Sequence, residues 1–181
     1  MRRLTGIAFL FFALFAMTGM ASASDPENTI YLDLKDGRVV IELLPNVAPE
    51  HVKRIKELTR KGFYDGLTFH RVIDGFMAQT GDPTGTGAGG SSLPDLKAEF
   101  SDDETFWRGA VGMARANDPD SANSQFFICL GDADFLDGKY TLFGRVTEGM
   151  EFVDHIAKGE PPANPDKIVR MQVAADADKG N

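Results

Sequence analysis

The chain has 181 residues, with 27 acidic and 19 basic side chains and a formal charge of −8 at pH 7. A surface with this excess of negative charge repels phosphate backbones and anionic lipids, which argues against nucleic acid as a partner. Cys129 is the only cysteine, so the fold cannot depend on a disulfide within the chain.

The first 23 residues have the order of a secretory signal peptide. Arg2 and Arg3 come before an apolar run at residues 7–17, and the small residues 21–23 follow it. The apolar run is shorter than the ~20 residues that a membrane-spanning helix needs. We therefore predict removal of residues 1–23 and export to the periplasm, without stable membrane insertion afterwards. An uncleaved N-terminal anchor is the alternative.

The remainder, residues 24–181, is long enough for one domain with a sizeable core. Short apolar and β-branched runs recur in it between Gly, Asp and Pro residues, which is typical of an antiparallel β domain. The predicted strands are residues 29–34, 38–44, 68–73, 76–80, 109–115, 124–130, 142–147 and 168–174. Between the first two strands, Asp36 and Gly37 predict a tight turn, because glycine accepts a positive φ.

Two segments have helical periodicity instead. At residues 49–61, Val52, Ile55 and Leu58 recur at helical spacing, and residues 150–158 have a similar pattern. Eight strands and two helices predict a mostly β fold, namely a closed eight-stranded antiparallel β-barrel capped by two α-helices. Closure is expected because it removes the exposed sheet edges.

Two apolar-aromatic blocks carry the candidate chemistry: residues 69–82 (FHRVIDGFMAQTGD) and residues 121–130 (SANSQFFICL). Neither contains a Gly-x-Ser-x-Gly nucleophile motif, and the three histidines of the chain lie far apart, without the spacing of metal ligands. No cofactor and no metal are therefore expected.

Arg71 is the unusual residue of the first block. In a strand at residues 68–73 it shares a face with Phe69 and Ile73. An arginine in such a row either extends to solvent or presents fixed hydrogen-bond donors in a partly dry groove. In the second block both strand faces are apolar, so one can fill the barrel while the other lines a surface pocket.

The order of these motifs resembles the cyclophilins. The matching motifs are FHRVI at residues 69–73, GFM at 75–77, Gln79, GD at 81–82, MA at 113–114, SQFFI at 124–128, LDGK at 136–139 and FG at 143–144. The similarity extends over residues 29–174. It implies a proline-binding groove on the outside of the barrel. It also implies peptidyl-prolyl cis/trans isomerase activity on proline-containing segments of exported proteins as they fold, by a protein expected to be a monomer.

The resemblance also implies roles for particular residues. Those in catalytic positions are Arg71, Gln79 and Phe127. Those in substrate-binding positions are Phe76, Met77, Gly87, Ala114, Arg115, Ala116, Gln125, Phe135, Leu136 and Tyr140.

This chain departs from many eukaryotic cyclophilins at two of these positions. Phe135 stands where they have Trp, and Tyr140 where they have His, while the sole tryptophan, Trp107, lies elsewhere. Both replacements keep an aromatic lining, so activity is expected to survive. Phe135 lacks the indole N–H donor, which argues against cyclosporin-type inhibition.

Two other functions fit parts of the sequence. A non-catalytic chaperone module could hold proline-containing segments in the same groove, although Arg71 argues against a purely passive groove. An exported carrier of a small ligand would need a roomy barrel interior. The large residues assigned to the interior, Phe126 and Ile128, argue against such a carrier.

Overall fold

The computed structural model describes residues 25–180, with side chains described for residues 25–177. The predicted signal peptide, residues 1–23, lies outside the described residues. The elements in chain order are β1 (Thr29–Leu34), β2 (Gly37–Leu43), α1 (Pro49–Arg60), β3 (Arg71–Ile73), β4 (Met77–Thr80), β5 (Ala110–Met113), β6 (Phe126–Cys129), β7 (Leu142–Glu148), α2 (Met150–Asp154) and β8 (Arg170–Val173). Short 3-10 turns lie at Pro26–Asn28, Asp134–Leu136 and Ala174–Gly180. The described residues include no helix with the length and apolar character to cross a membrane.

The strands form one antiparallel sheet in the order β3-β4-β6-β5-β7-β2-β1-β8. The predicted mostly β fold with two helices is confirmed, but the predicted closed barrel is wrong. The sheet is curled and open, and within residues 25–180 no strand ladder joins its edge strands β3 and β8. Isolated bridges cross this gap, at Thr68 with Lys167 and at Val72 with Gly159.

The short length of β3 explains the opening. The predicted strand at residues 68–73 starts only at Arg71, because the backbone N–H of Phe69 donates to the carbonyl of Asp166, a loop residue, at 2.9 Å. Phe69 is fully buried in the core, so it does not share the outward face of Arg71 as the alternation had predicted.

Helix α1 forms where proline, helical periodicity and a distant carboxylate coincide. Pro49 occupies the first turn, where its missing N–H costs nothing. Glu99 accepts hydrogen bonds from the backbone N–H groups of Glu50 at 3.1 Å and His51 at 3.0 Å. The apolar face, with Val52 and Ile55, is buried in the core. Helix α2 ends at Asp154, four residues earlier than predicted.

Strand β6 separates two apolar clusters. Phe126 and Ile128 lie in the core inside the curled sheet, whereas Phe127 and Cys129 belong to a second cluster on the outer face. Period-2 alternation produces this division. The inside is filled by large side chains, which disfavours the carrier of a small ligand.

Cys129 is fully buried in the outer cluster and has no disulfide partner. Burial raises the pKa of its thiol to about 12, because the thiolate would lose its hydration. The side chain therefore acts as a small apolar residue at neutral pH.

The turn between β1 and β2 is tight, as predicted, but for a different reason. Leu34 pairs with Gly37 across the turn, and Gly37 does not have a positive φ. A Cβ atom at Gly37 would lie 2.5 Å from the ring of Phe152. Glycine is therefore required here because α2 packs closely against the start of β2.

Gly37→Ala is expected to lower the free energy of unfolding by about 2 kcal/mol, because the added methyl overlaps the Phe152 ring. In a Phe152→Ala background the same substitution should cost much less. Chemical denaturation of the two single variants and the double variant measures this difference. An equal cost of Gly37→Ala in both backgrounds would show that backbone conformation, and not contact with α2, demands the glycine.

Candidate active site

The register of the sheet places the three predicted catalytic residues and one glycine in a single row across four strands. Arg71 on β3 pairs with Gln79 on β4, Gln79 pairs with Phe127 on β6, and Phe127 pairs with Gly112 on β5. Phe127 lies outside the core, in the outer cluster. Because paired residues of adjacent strands share a face, the whole row lies on the outer side of the sheet.

Gly112 leaves room for the aromatic floor of this row. A Cβ atom there would lie 2.6 Å from the ring of Phe127 and 2.5 Å from that of Phe106. These two rings stack with their centroids 5.8 Å apart, and Tyr140 approaches Phe127 edge-on at 6.0 Å. Phe127 is thus held between two aromatic neighbours.

An apolar cavity of about 270 Å³ opens above this floor. Met77, Phe127 and Leu136 are almost completely buried and form its base. Phe135 is 56% exposed, and its ring lies 5.3 Å from that of Phe76. The lining residues are Arg71, Phe76, Met77, Gln79, Ala114, Arg115, Phe127, Phe135, Leu136 and Tyr140. Exposed Phe135 and half-buried Phe76 together give the cavity an apolar rim.

A polar cavity of about 440 Å³ adjoins the first and shares Gln79, Ala114 and Arg115 with it. Of the remaining predicted residues, Gly87, Ala116 and Gln125 line this second cavity. All the predicted site residues therefore lie on one of the two cavities. The polar cavity also includes residues that the sequence analysis did not select, among them Ser91, Asp95 and Asn123.

Arg71 brings the cationic group to the apolar cavity. Its side chain is 42% exposed, and its Nε donates to Oε2 of Glu160 at 2.7 Å. Among residues 25–177 this is the only hydrogen bond of the guanidinium, so both terminal nitrogens are free to donate to a substrate. Across the row, Gln79 Nε2 donates to Gln125 Oε1 at 2.8 Å.

Arg115, in contrast, has its guanidinium engaged by the protein. Nε and one terminal nitrogen donate to the carbonyl of Lys139, at 3.2 and 2.8 Å, and the other donates to the carbonyl of Ala116 at 2.9 Å. The guanidinium carbon also lies 4.4 Å from the centre of the Tyr140 ring. Arg115 therefore joins the loops that form the cavity walls.

The glycine-rich loop at residues 81–92 (GDPTGTGAGGSS), beside the polar cavity, is held from two sides. The buried carboxylate of Asp82 accepts hydrogen bonds from the backbone N–H groups of Thr84 at 2.7 Å, Gly87 at 2.6 Å and Gly89 at 3.1 Å. From the other side, Gln125 Nε2 donates to the carbonyls of Gly87 at 3.0 Å and Gly89 at 2.7 Å. Side chains thus bind both N–H groups and carbonyl groups of this short segment.

Two opposing effects set the pKa of Asp82. Burial alone would raise the pKa, but the backbone N–H groups and the Thr84 hydroxyl stabilise the carboxylate and lower the pKa to about 2. In the sequence Asp82 ends the first apolar-aromatic block and belongs to the GD motif, and neither feature predicted a loop contact. Asp82 lies at the start of a segment rich in Gly and Thr, and this position could have indicated that its side chain holds the loop.

The described residues contain no group of three or more His, Cys, Asp or Glu side chains that could hold a metal ion. His70 lies next to Arg71 but is buried, and burial lowers its pKa. The polar side chains that line the two cavities are those of Arg71, Gln79, Ser91, Asp95, Arg115, Ser121, Asn123, Gln125 and Tyr140.

Solved structures with this architecture identify the fold. A cyclophilin from Hirschia baltica, AquaCyp293, matches with a TM-score of 0.77 and 31% identity, over 84% of this chain and 76% of that one. A Cryptosporidium parvum cyclophilin type peptidyl-prolyl cis-trans isomerase, crystallised in the presence of the dipeptide Ala-Pro, matches with a TM-score of 0.74 and 29% identity, over 80% of this chain and 98% of that one. The curled sheet with its two outer cavities is thus the cyclophilin fold.

Sequence comparisons agree with the fold. The model of the family described as cyclophilin type peptidyl-prolyl cis-trans isomerase/CLD matches residues 29–173. A probable peptidyl-prolyl cis-trans isomerase of Brucella suis is 54% identical over 172 residues, which cover 86% of this chain and 87% of the relative. The Homo sapiens peptidyl-prolyl cis-trans isomerase-like 1 is 41% identical over 149 residues, which cover 78% of this chain and 89% of the relative.

The chain belongs to the cyclophilin-type peptidyl-prolyl cis-trans isomerases, which confirms the resemblance seen in its motifs. Its activity is the interconversion of the cis and trans forms of the peptide bond before proline.

Asp82→Asn is expected to lower the free energy of unfolding at pH 7 by about 2 kcal/mol, because an amide cannot replace the carboxylate that the backbone N–H groups stabilise. The parent gains this stability above the unfolded pKa of ~3.9 and loses it as the pH falls toward 2. The difference between the two proteins should therefore shrink over that interval. Denaturation at pH 7, 4 and 2.5 measures it, with the exposed Asp74→Asn as the control. A pH dependence that is the same in Asp82→Asn as in the parent would contradict the anchoring role.

Proposed function

We propose that proline isomerisation takes place in the apolar cavity, with Arg71 as the catalytic hydrogen-bond donor. Resonance holds the peptide bond before proline planar with a barrier of ~18–20 kcal/mol. In the half-rotated state conjugation is lost and the proline nitrogen carries a free lone pair. A donor that binds this nitrogen stabilises the twisted state more than the planar state, which is the requirement for catalysis.

The observation that carries this proposal is the free end of the Arg71 guanidinium at the edge of a cavity with an apolar base. Within residues 25–177 only its Nε is bound by the protein, while its side chain lines the cavity with Phe127 and Met77. The guanidinium stays charged at any physiological pH, so a fixed cation is always present. Apolar walls strengthen its effect because they exclude competing water.

The apolar residues have a separate task, which is to bind the proline ring. Met77, Phe127 and Leu136 provide a fixed base for the ring, and the rings of Phe76 and Phe135 cover it from the rim. The cavity volume of about 270 Å³ suits a ring of this size with part of its neighbours. A related cyclophilin crystallised with Ala-Pro supports proline-containing peptides as the substrate class.

The polar cavity is proposed to hold the peptide segment next to the proline. Gln79 is shared by both cavities and is hydrogen-bonded to Gln125, so its position is fixed before substrate arrives. Rotation about one bond is productive only if one end of the peptide is held while the other turns. An organised polar wall beside the apolar cavity meets this condition.

Arg71→Ala is expected to lower kcat/KM for an Ala-Pro peptide about 100-fold, the typical result of removing one transition-state donor. Its thermal stability should change little, because the side chain is partly exposed. A protease-coupled or NMR exchange assay measures turnover, and Arg170→Ala, an exposed arginine outside both cavities, is the matched control. Near-parental turnover of Arg71→Ala would refute the assignment.

The same proteins separate catalysis from simple binding. Phe127→Ala should weaken peptide binding, because it removes the base of the apolar cavity. If the groove acted only as a chaperone module, Arg71→Ala would keep the parental turnover, which would itself be near the uncatalysed rate. A peptide-binding titration beside the turnover assay distinguishes the two functions.

We further propose that the isomerase acts as a monomer on exported proteins in the periplasm. The support for export is the arrangement of residues 1–23, with basic, apolar and small residues in the order of a secretory signal.

Cleavage after Ala23 is expected to leave Ser24 as the first residue of the exported protein. N-terminal sequencing or intact mass measurement of the protein from a periplasmic extract checks this. Replacement of Ala21 and Ala23 by bulky residues should cause the precursor to accumulate, because the cleavage site requires small side chains. Recovery of the full-length chain in the cytoplasm alone would refute export.

A further inference from the structure

Glu160 makes the only ionic contact to Arg71 among the described residues. Its Oε2 lies 2.7 Å from Arg71 Nε, and the two residues are 89 positions apart in the chain. The Glu160 side chain is 51% exposed and lines neither cavity. It therefore reaches the site through Arg71 alone.

The backbone fixes Glu160 at this position. The preceding residue, Gly159, exchanges two hydrogen bonds with Val72, each 2.8 Å long, and Val72 directly follows Arg71 on β3. A Cβ atom at position 159 would lie 2.6 Å from the backbone of Pro162, so this close path requires glycine. The backbone next to Glu160 is thus paired with the edge strand β3, beside Arg71.

The segment that carries Glu160 is also tied down further along the chain. The carboxylate of Asp166 accepts the backbone N–H of Ala157 at 2.8 Å and forms an ion pair with Lys35, also at 2.8 Å. Residues 157–166 therefore form a closed loop with fixed ends. A glutamate on such a loop can hold its partner in place with little loss of its own backbone freedom.

A contact at Nε has a specific consequence for a guanidinium. The group is a rigid planar fork, so a carboxylate bound at Nε restricts the directions in which both terminal nitrogens can point. A free arginine side chain has many rotamers and would lose this freedom at each turnover. Glu160 removes that cost in advance and leaves the terminal N–H groups available to the proline.

We propose that Glu160 is a positioning residue for catalysis, which orients the Arg71 guanidinium toward the apolar cavity. The proposal rests on the role given to Arg71 above. A carboxylate that instead held Arg71 away from the substrate or weakened its charge would act as a brake, and its removal would raise kcat. The direction of the change in kcat distinguishes orientation from inhibition.

Glu160→Ala is expected to lower kcat about five-fold and to leave KM within two-fold of the parent. The coupling free energy of an exposed ion pair corresponds to a change of about this size. Glu160→Gln keeps a hydrogen-bond acceptor and should recover part of the loss. Glu57→Ala is the matched control, because Glu57 forms an exposed ion pair with Lys61 on α1, remote from the site. Line-shape NMR on an Ala-Pro peptide gives kcat and KM for the full exported protein.

Two further measurements separate positioning from a merely structural role. In an Arg71→Ala background, Glu160→Ala should cause no additional loss of turnover, because its effect passes through Arg71. The ¹H–¹⁵Nε signal of Arg71 should be visible in the parent and broadened by water exchange in Glu160→Ala.

Parental or increased kcat in both Glu160 variants would overturn the proposal, as would an equal loss with and without Arg71. If Arg71→Ala itself kept parental turnover, the assignment of Arg71 would fail, and this inference with it. A loss in Arg71→Ala combined with parental Glu160 variants would remove only the inference about Glu160.

Discussion

The organisation of this isomerase depends on one strand that is buried on both faces. On β6, Phe126 and Ile128 fill the inside of the curled sheet, while Phe127 and Cys129 support the outer cavity. A strand with a polar, solvated outer face would leave the outer cavity without this apolar base. Because successive side chains alternate, two pairs of residues serve both purposes within a single strand. The proposed catalytic surface is therefore built directly on the back of the core.

Hydrogen bonds between amide groups stiffen the surface next to this floor. Gln79 donates to Gln125, which in turn donates to the carbonyls of the glycine-rich loop. Asp82 satisfies the N–H groups of the same loop. A glycine-rich segment has high conformational entropy when it is free, so contacts on both its edges are needed to keep it in one conformation. The loop thus becomes part of a preformed surface that extends from the apolar cavity and that is proposed to bind the peptide.

The sequence was informative where local periodicity or motif order determines structure. Alternation predicted the existence of the strands and the two-sided burial of β6, and the ordered motifs indicated the family and its groove. Features that depend on contacts between distant loops were not predicted. The sheet stays open because loop residues contact the edge of β3, and Gly37 is needed for the Phe152 ring and not for a positive φ. Glu160 meets Arg71 across 89 positions in an irregular loop, where neither helical nor strand periodicity marks it.

The burial of Cys129 has a practical consequence. This thiol is fully enclosed, and its raised pKa keeps it protonated, so alkylating reagents and thiol-reactive dyes will not reach it in the folded protein. A cysteine introduced on the surface would then be the sole reactive thiol in the folded domain. Fluorescent or paramagnetic probes can accordingly be attached beside either cavity without first replacing the native cysteine, which spares the floor of the site from mutation.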